Sequence, residues 1–142
     1  MPRPSRSNIQ RMPYVLIVDD EPDSSEFVER YLQREGYRTA VVPNGRAALG
    51  ALINGQPDAV VLDVRMPEMD GIALLEVMRS YLRFTKIPVV LLTAHANKQQ
   101  IERAKQLGVK SVLHKANFTL VQLQRALEDS LPPQQQQKRG HS

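Results

Sequence analysis

Residues 14–43 read YVLIVDDEPDSSEFVERYLQREGYRTAVVP, and the order of features within them decides the fold. An apolar run at 14–19 has the Val, Leu and Ile content of a strand buried on both faces. It runs into Asp19, Asp20, Glu21 and Asp23, interrupted only by Pro22. From 23 to 36 the pattern changes to three- and four-residue spacing, with Phe27, Tyr31 and Leu32 on one helical face. Gly36 stands where a left-handed cap would end that helix. A second apolar run, 39–43, follows at once. Strand, helix and strand in this order form a parallel crossover unit, because the chain must travel back along the sheet before the next strand can run the same way.

The alternation continues to residue 131. Further strands are expected at 58–63 (DAVVLD), 88–93 (PVVLLT) and 111–115 (SVLHK), and further helices at 45–56, 71–84, 97–108 and 119–131. The last helix spaces Leu120, Leu123, Leu127 and Leu131 along one face, and Gly55 and Gly108 mark helix ends as Gly36 does. Five such units give an α/β fold, a (βα)5 doubly wound parallel five-stranded sheet with right-handed crossovers and the favoured strand order 2-1-3-4-5.

Length and composition suit one ordinary core: 142 residues, 42% hydrophobic and 24% charged. No window has the apolar length of a bilayer span, and residues 1–12 carry no apolar segment followed by a cleavage site. A cytoplasmic protein without a membrane partner is therefore expected. Without cysteine there is neither a disulfide nor thiolate chemistry. The net charge of +4 invites a nucleic-acid reading, but Arg3, Arg6, Arg11, Lys138 and Arg139 lie at the two ends, where no acid accompanies them. The body is close to neutral and lacks a basic stripe with stacking aromatics, so nucleic-acid contact is not expected of it. The chain divides into a basic N-terminal extension at 1–12, a domain at 13–131 and a Gln-rich basic tail at 132–142, both extensions having the composition of disordered segments.

In an open parallel sheet the site lies beyond the carboxyl ends of the strands. Asp19 and Asp20 stand after the first strand, Asp63 after the third, Thr93 after the fourth and Lys115 after the fifth. Carboxylates gathered so closely raise one another's pKa, and a hard divalent cation such as Mg2+, which takes oxygen ligands and keeps several waters, would relieve the repulsion. Asp63 could then attack a phosphoryl group and form an aspartyl phosphate, with Lys115 and Thr93 contacting the phosphoryl oxygens. Taken alone, Asp19 and Asp20 would suit a helix cap and Thr93 a strand end. His95 and His114 flank these positions but lack the spacing of a zinc site. Glu21, Asp23 and Glu26 read as solvated partners of the helix dipole.

VLIVDDEPD (15–23), VVLDVRMPEMDG (60–71), VVLLTAH (89–95) and SVLHKA (111–116) together resemble the receiver domain of two-component response regulators, over about 13–131. The resemblance implies a flavodoxin-like, CheY-like fold in which Asp63 is the phosphoacceptor. It implies that Asp20, Asp63 and the carbonyl of Arg65 ligate Mg2+ with Asp19 assisting through water, that Thr93 is the switch hydroxyl, and that Lys115 pairs with the phosphoryl group. Pro67 and Gly71 match the family's turn into the third helix. A sensor histidine kinase or phosphotransfer protein would be the donor. A downstream protein would read the face of helix 4, strand 5 and helix 5, and the chain would be a stand-alone receiver, monomeric or weakly dimeric.

Two positions depart from the family. Val112 stands where a Tyr or Phe usually precedes the lysine by three residues, and Ala116 replaces a proline that often follows a cis bond. The peptide before Ala116 is expected either trans with a reshaped loop or cis under strain. The departures leave room for a pseudo-receiver that binds without phosphorylation. An aspartyl-phosphate phosphohydrolase would need an acid-base Asp where Arg65 stands and a cap for which there is no length.

Overall fold

A computed structural model describes residues 12–131, so that all but the last residue of the expected extension at 1–12, and the whole expected tail at 132–142, lie outside the described residues. Five strands, β1 (Tyr14–Val18), β2 (Arg38–Val42), β3 (Ala59–Leu62), β4 (Val89–Thr93) and β5 (Ser111–His114), alternate with five helices. The helices are α1 (Pro22–Arg34), α2 (Gly45–Asn54), α3 (Gly71–Ser80), α4 (Lys98–Gln106) and α5 (Leu120–Ser130). All pairings are parallel and the strand order is β2-β1-β3-β4-β5, the expected doubly wound arrangement.

The central strands are buried apart from Tyr14 at the start of β1, and their alternate side chains enter two different cores. Leu16, Val18, Val60, Leu62, Val89 and Leu91 meet residues of α2, α3 and α4, while Val15, Ile17, Ala59, Val61, Val90 and Leu92 meet residues of α1 and α5. This two-sided burial is why the strands read as unbroken apolar runs. β2 and β5 are exposed or half-buried, because an edge strand has a neighbour on one side only.

Several local expectations shift. The buried residues of α1 are Ser25, Val28 and Leu32, and Phe27 faces solvent. Pro22 begins that helix, one residue before the expected start. α3 ends at Ser80 rather than at 84, and Phe84 folds back into the core beneath a short turn. Gly36 and Gly108 have φ of 94° and 82°, as a left-handed cap requires, whereas Gly55 is extended. No peptide bond among the described residues is cis, so the 115–116 bond is trans. The chain beyond β5 instead turns tightly, with the amides of Asn117 and Phe118 both donating to the His114 carbonyl.

The turn from β3 into α3 depends on a close approach. A Cβ on Gly71 would stand 2.3 Å from the Asp63 carbonyl oxygen and 2.9 Å from Val64 Cα. The Gly71 amide donates to the Val64 carbonyl at 2.8 Å, and Asp70 caps the helix by accepting from the Ala73 amide. Because both clashing atoms are backbone, no side-chain movement relieves them. Gly71→Ala is expected to lower stability by about 2 kcal/mol or more, measured by urea denaturation with the far-UV spectrum as control.

Candidate functional site

Pairing register sets the site. Val18 pairs with Leu62, so Asp19 and Asp63 emerge side by side one residue later. Their amides continue the ladder, Asp19 donating to the Val42 carbonyl at 3.0 Å and Asp63 to the Val18 carbonyl at 2.9 Å. Both carboxylates are buried. Thr93 closes β4 with no exposed surface, and its Oγ1 accepts from the His95 amide at 3.3 Å. The Lys115 amide donates to the Thr93 carbonyl, which ties the residue after β5 to the end of β4.

These elements bring Lys115 Nζ to 2.8 Å from Asp19 Oδ2 and 3.0 Å from Asp63 Oδ2. Burial by itself would lower the lysine pKa, but hydrogen bonds to Asp19, Glu21 and Asp63 outweigh it and raise the amine above its ordinary value. Asp20 is exposed, and one oxygen from each of Asp19, Asp20 and Asp63 lies within 4.8 Å of the others. Among the described residues this is the one group of three or more carboxylate, imidazole or thiol ligands so arranged. An all-oxygen donor set of this charge fits a hard cation such as Mg2+ better than zinc. Arg65 donates its amide to Asp63 Oδ1 at 3.3 Å and lines the same cavity of about 650 Å3 as Asp20, Asp63 and Pro67.

Glu21 is the residue that sequence reasoning misplaced. Instead of acting only as a solvated dipole partner, it holds its Oε1 2.7 Å from Lys115 Nζ. The signal was Pro22: a proline at the first helical position leaves Glu21 as the N-cap, with extended backbone and no side-chain capping bond. Its carboxyl lies below the usual range, first because of the hydrogen bond from Lys115 and then because of that ammonium's charge. His95 and His114 do not join the acids in a metal cluster, but they line an adjoining cavity of about 530 Å3 with Arg65. Val112 is half-buried and packs against the α4 side of the core.

A family model described as the response regulator receiver domain matches residues 15–128. The chain belongs to this family. As a receiver domain of two-component signalling it is 36% identical over 124 residues to the regulatory protein AtoC of Escherichia coli K12, covering 87% of this chain but 26% of AtoC. It is 32% identical over 118 residues to sporulation initiation phosphotransferase F of Bacillus subtilis 168, covering 83% of this chain and 93% of that protein. Among solved structures it is similar to the receiver domain of sensor histidine kinase PA1611 of Pseudomonas aeruginosa PAO1, with a TM-score of 0.74 and 30% identity over 82% of this chain and 95% of that one. That structure has a magnesium ion coordinated in its active-site cleft. No helix among the described residues of the present chain is long and apolar enough to cross a membrane.

One ammonium that pairs with two buried carboxylates cannot be removed cheaply. Lys115→Met should cost about 3 kcal/mol of folding stability in metal-free buffer, read by urea denaturation. Because folding raises the lysine pKa, the contribution is complete below 10.5 and is lost as pH rises through the higher folded value. The difference between wild type and variant should therefore be constant across neutral pH.

Proposed function

We propose that this receiver domain is a phosphorylation-controlled switch in which Asp63 accepts a phosphoryl group from a sensor histidine kinase, a phosphotransfer protein or a small phosphodonor. The observation that carries the reading is the position of the Asp63 carboxylate, buried beside Asp19 with the Lys115 ammonium bridging the two, and lining a cavity large enough for a phosphoryl group. An Asp63 oxygen forms the new bond to phosphorus, while the donor's bond to phosphorus breaks and its electron pair leaves with the donor.

Asp20, Asp63 and the Arg65 carbonyl would hold Mg2+, with Asp19 assisting through water. When bound, the ion supplies positive charge against the carboxylates and the transferring oxygens. Lys115 contributes a second positive charge, held in place by the hydrogen bond from its backbone amide to the Thr93 carbonyl of β4 and by its ion pair with Asp19. Thr93 turns its hydroxyl toward the new phosphoryl oxygen. Doing so gives up the bond from the His95 amide, and loosening that bond lets the segment 94–97 rearrange. The face of α4, β5 and α5 is then read by a downstream protein.

Val112 changes how that output is delivered. A valine packed into the core has no ring to swing, so the loop after Thr93 carries the signal. A cytoplasmic signalling role, with self-phosphorylation and self-dephosphorylation as its only chemistry, follows from the same reading.

Incubation with acetyl phosphate and Mg2+ should add one phosphoryl mass to the wild-type chain and none to Asp63→Asn. Asp20→Ala should abolish the adduct and Asp23→Ala should leave it nearly intact, all by intact-mass spectrometry. No adduct on wild type, or an undiminished one on Asp63→Asn, would overturn the reading.

A further inference from the structure

An ammonium has three N–H donors, and Lys115 has three carboxylates to meet them: Glu21 at 2.7 Å, Asp19 at 2.8 Å and Asp63 at 3.0 Å. None of the three donors is left over for a phosphoryl oxygen. If Lys115 is to contact a phosphoryl group on Asp63, one present partner must be released.

The three partners differ in how firmly they are held. Asp19 is buried, and its second oxygen accepts the Glu21 amide at 3.0 Å. Asp63 is buried and accepts the Arg65 amide. The Glu21 side chain is 61% exposed, and Lys115 is the one hydrogen-bonding partner of its carboxylate among the described residues, with His95 adding only a weaker charge interaction. Release therefore falls to Glu21. We infer that Glu21 is a positioning residue that parks the Lys115 ammonium in the unphosphorylated state and sets the rate at which it becomes free for phosphoryl transfer to Asp63. The inference rests on the phosphoacceptor reading above and adds a rate control to it. The transfer itself is unchanged: Asp63 gains a bond to phosphorus as the donor's bond to phosphorus breaks, and the leaving group keeps the electron pair.

Glu21 also borders the cavity mouth, where its charge would repel an anionic donor. The two effects separate by reach. Glu21→Gln removes the charge, whereas Glu21→Asp keeps the charge on a side chain one methylene shorter that no longer spans to Lys115.

The test follows initial phosphorylation of the full chain by acetyl phosphate at saturating Mg2+, alongside exchange of the Lys115 ammonium protons measured by NMR in metal-free protein. Parking predicts that Glu21→Gln and Glu21→Asp both phosphorylate about fivefold faster than wild type, the scale of one exposed ion pair. It also predicts that both exchange faster at Nζ. If wild type is phosphorylated and Glu21→Asp keeps its rate, or Nζ exchange is equal in all three, the inference is overturned while the phosphoacceptor reading stands. If wild type takes up no phosphoryl group, both are overturned together.

Discussion

Asp19 and Asp63 are side by side because β1 and β3 pair in register, and both are buried, so two negative charges are held together in a place with little water to screen them. The Lys115 ammonium between them, at 2.8 and 3.0 Å, is what makes that arrangement tolerable in a folded chain. Much else in the molecule serves this contact. β5 must end beside β4 for Lys115 to reach, and Gly71 must lack a side chain for α3 to leave the Asp63 backbone so closely. The unbroken apolar strands anchor the carboxylates rigidly enough that they cannot relax apart.

The neutralisation is incomplete. Asp19, Asp20, Glu21 and Asp63 bring four carboxylates to one positive side chain, and Asp20 takes no part in the lysine's hydrogen bonds. Charge left in excess at the mouth of a cavity is a standing attraction for a small hard cation. On the proposed function, lysine and cation would have separate tasks: the one is built into the fold, and the other would complete the charge balance once a phosphoryl group added still more negative charge. The site's chemistry is thus continuous with its folding energetics.

Most of this was legible in the sequence because the relevant signals are local. Five apolar runs and five helical periods give the sheet, and the residues at or just past the ends of four of the runs give Asp19, Asp63, Thr93 and Lys115. Family resemblance then supplied roles that spacing alone could not. What escaped was set by side-chain reach and by neighbours distant in sequence. Glu21 looked like the start of a helix, yet its carboxylate crosses to a lysine 94 positions away. Phe27 satisfied the helical spacing but lies one position off the buried face, because Val28 is the side chain that α1 turns toward the sheet. Gly55 matched a capping pattern by position, while its backbone is extended. Ala116 left two geometries open, and the turn onto the His114 carbonyl takes the trans one.

Unrelieved carboxylate repulsion at the strand ends would drive the binding of one divalent cation. Thermal unfolding of the wild-type chain with increasing Mg2+, against sodium chloride of matched ionic strength, tests it most directly. Saturating single-site stabilisation by Mg2+ that raises Tm several degrees beyond the sodium control is the result predicted. An Mg2+ effect no larger than that of matched sodium chloride would contradict it.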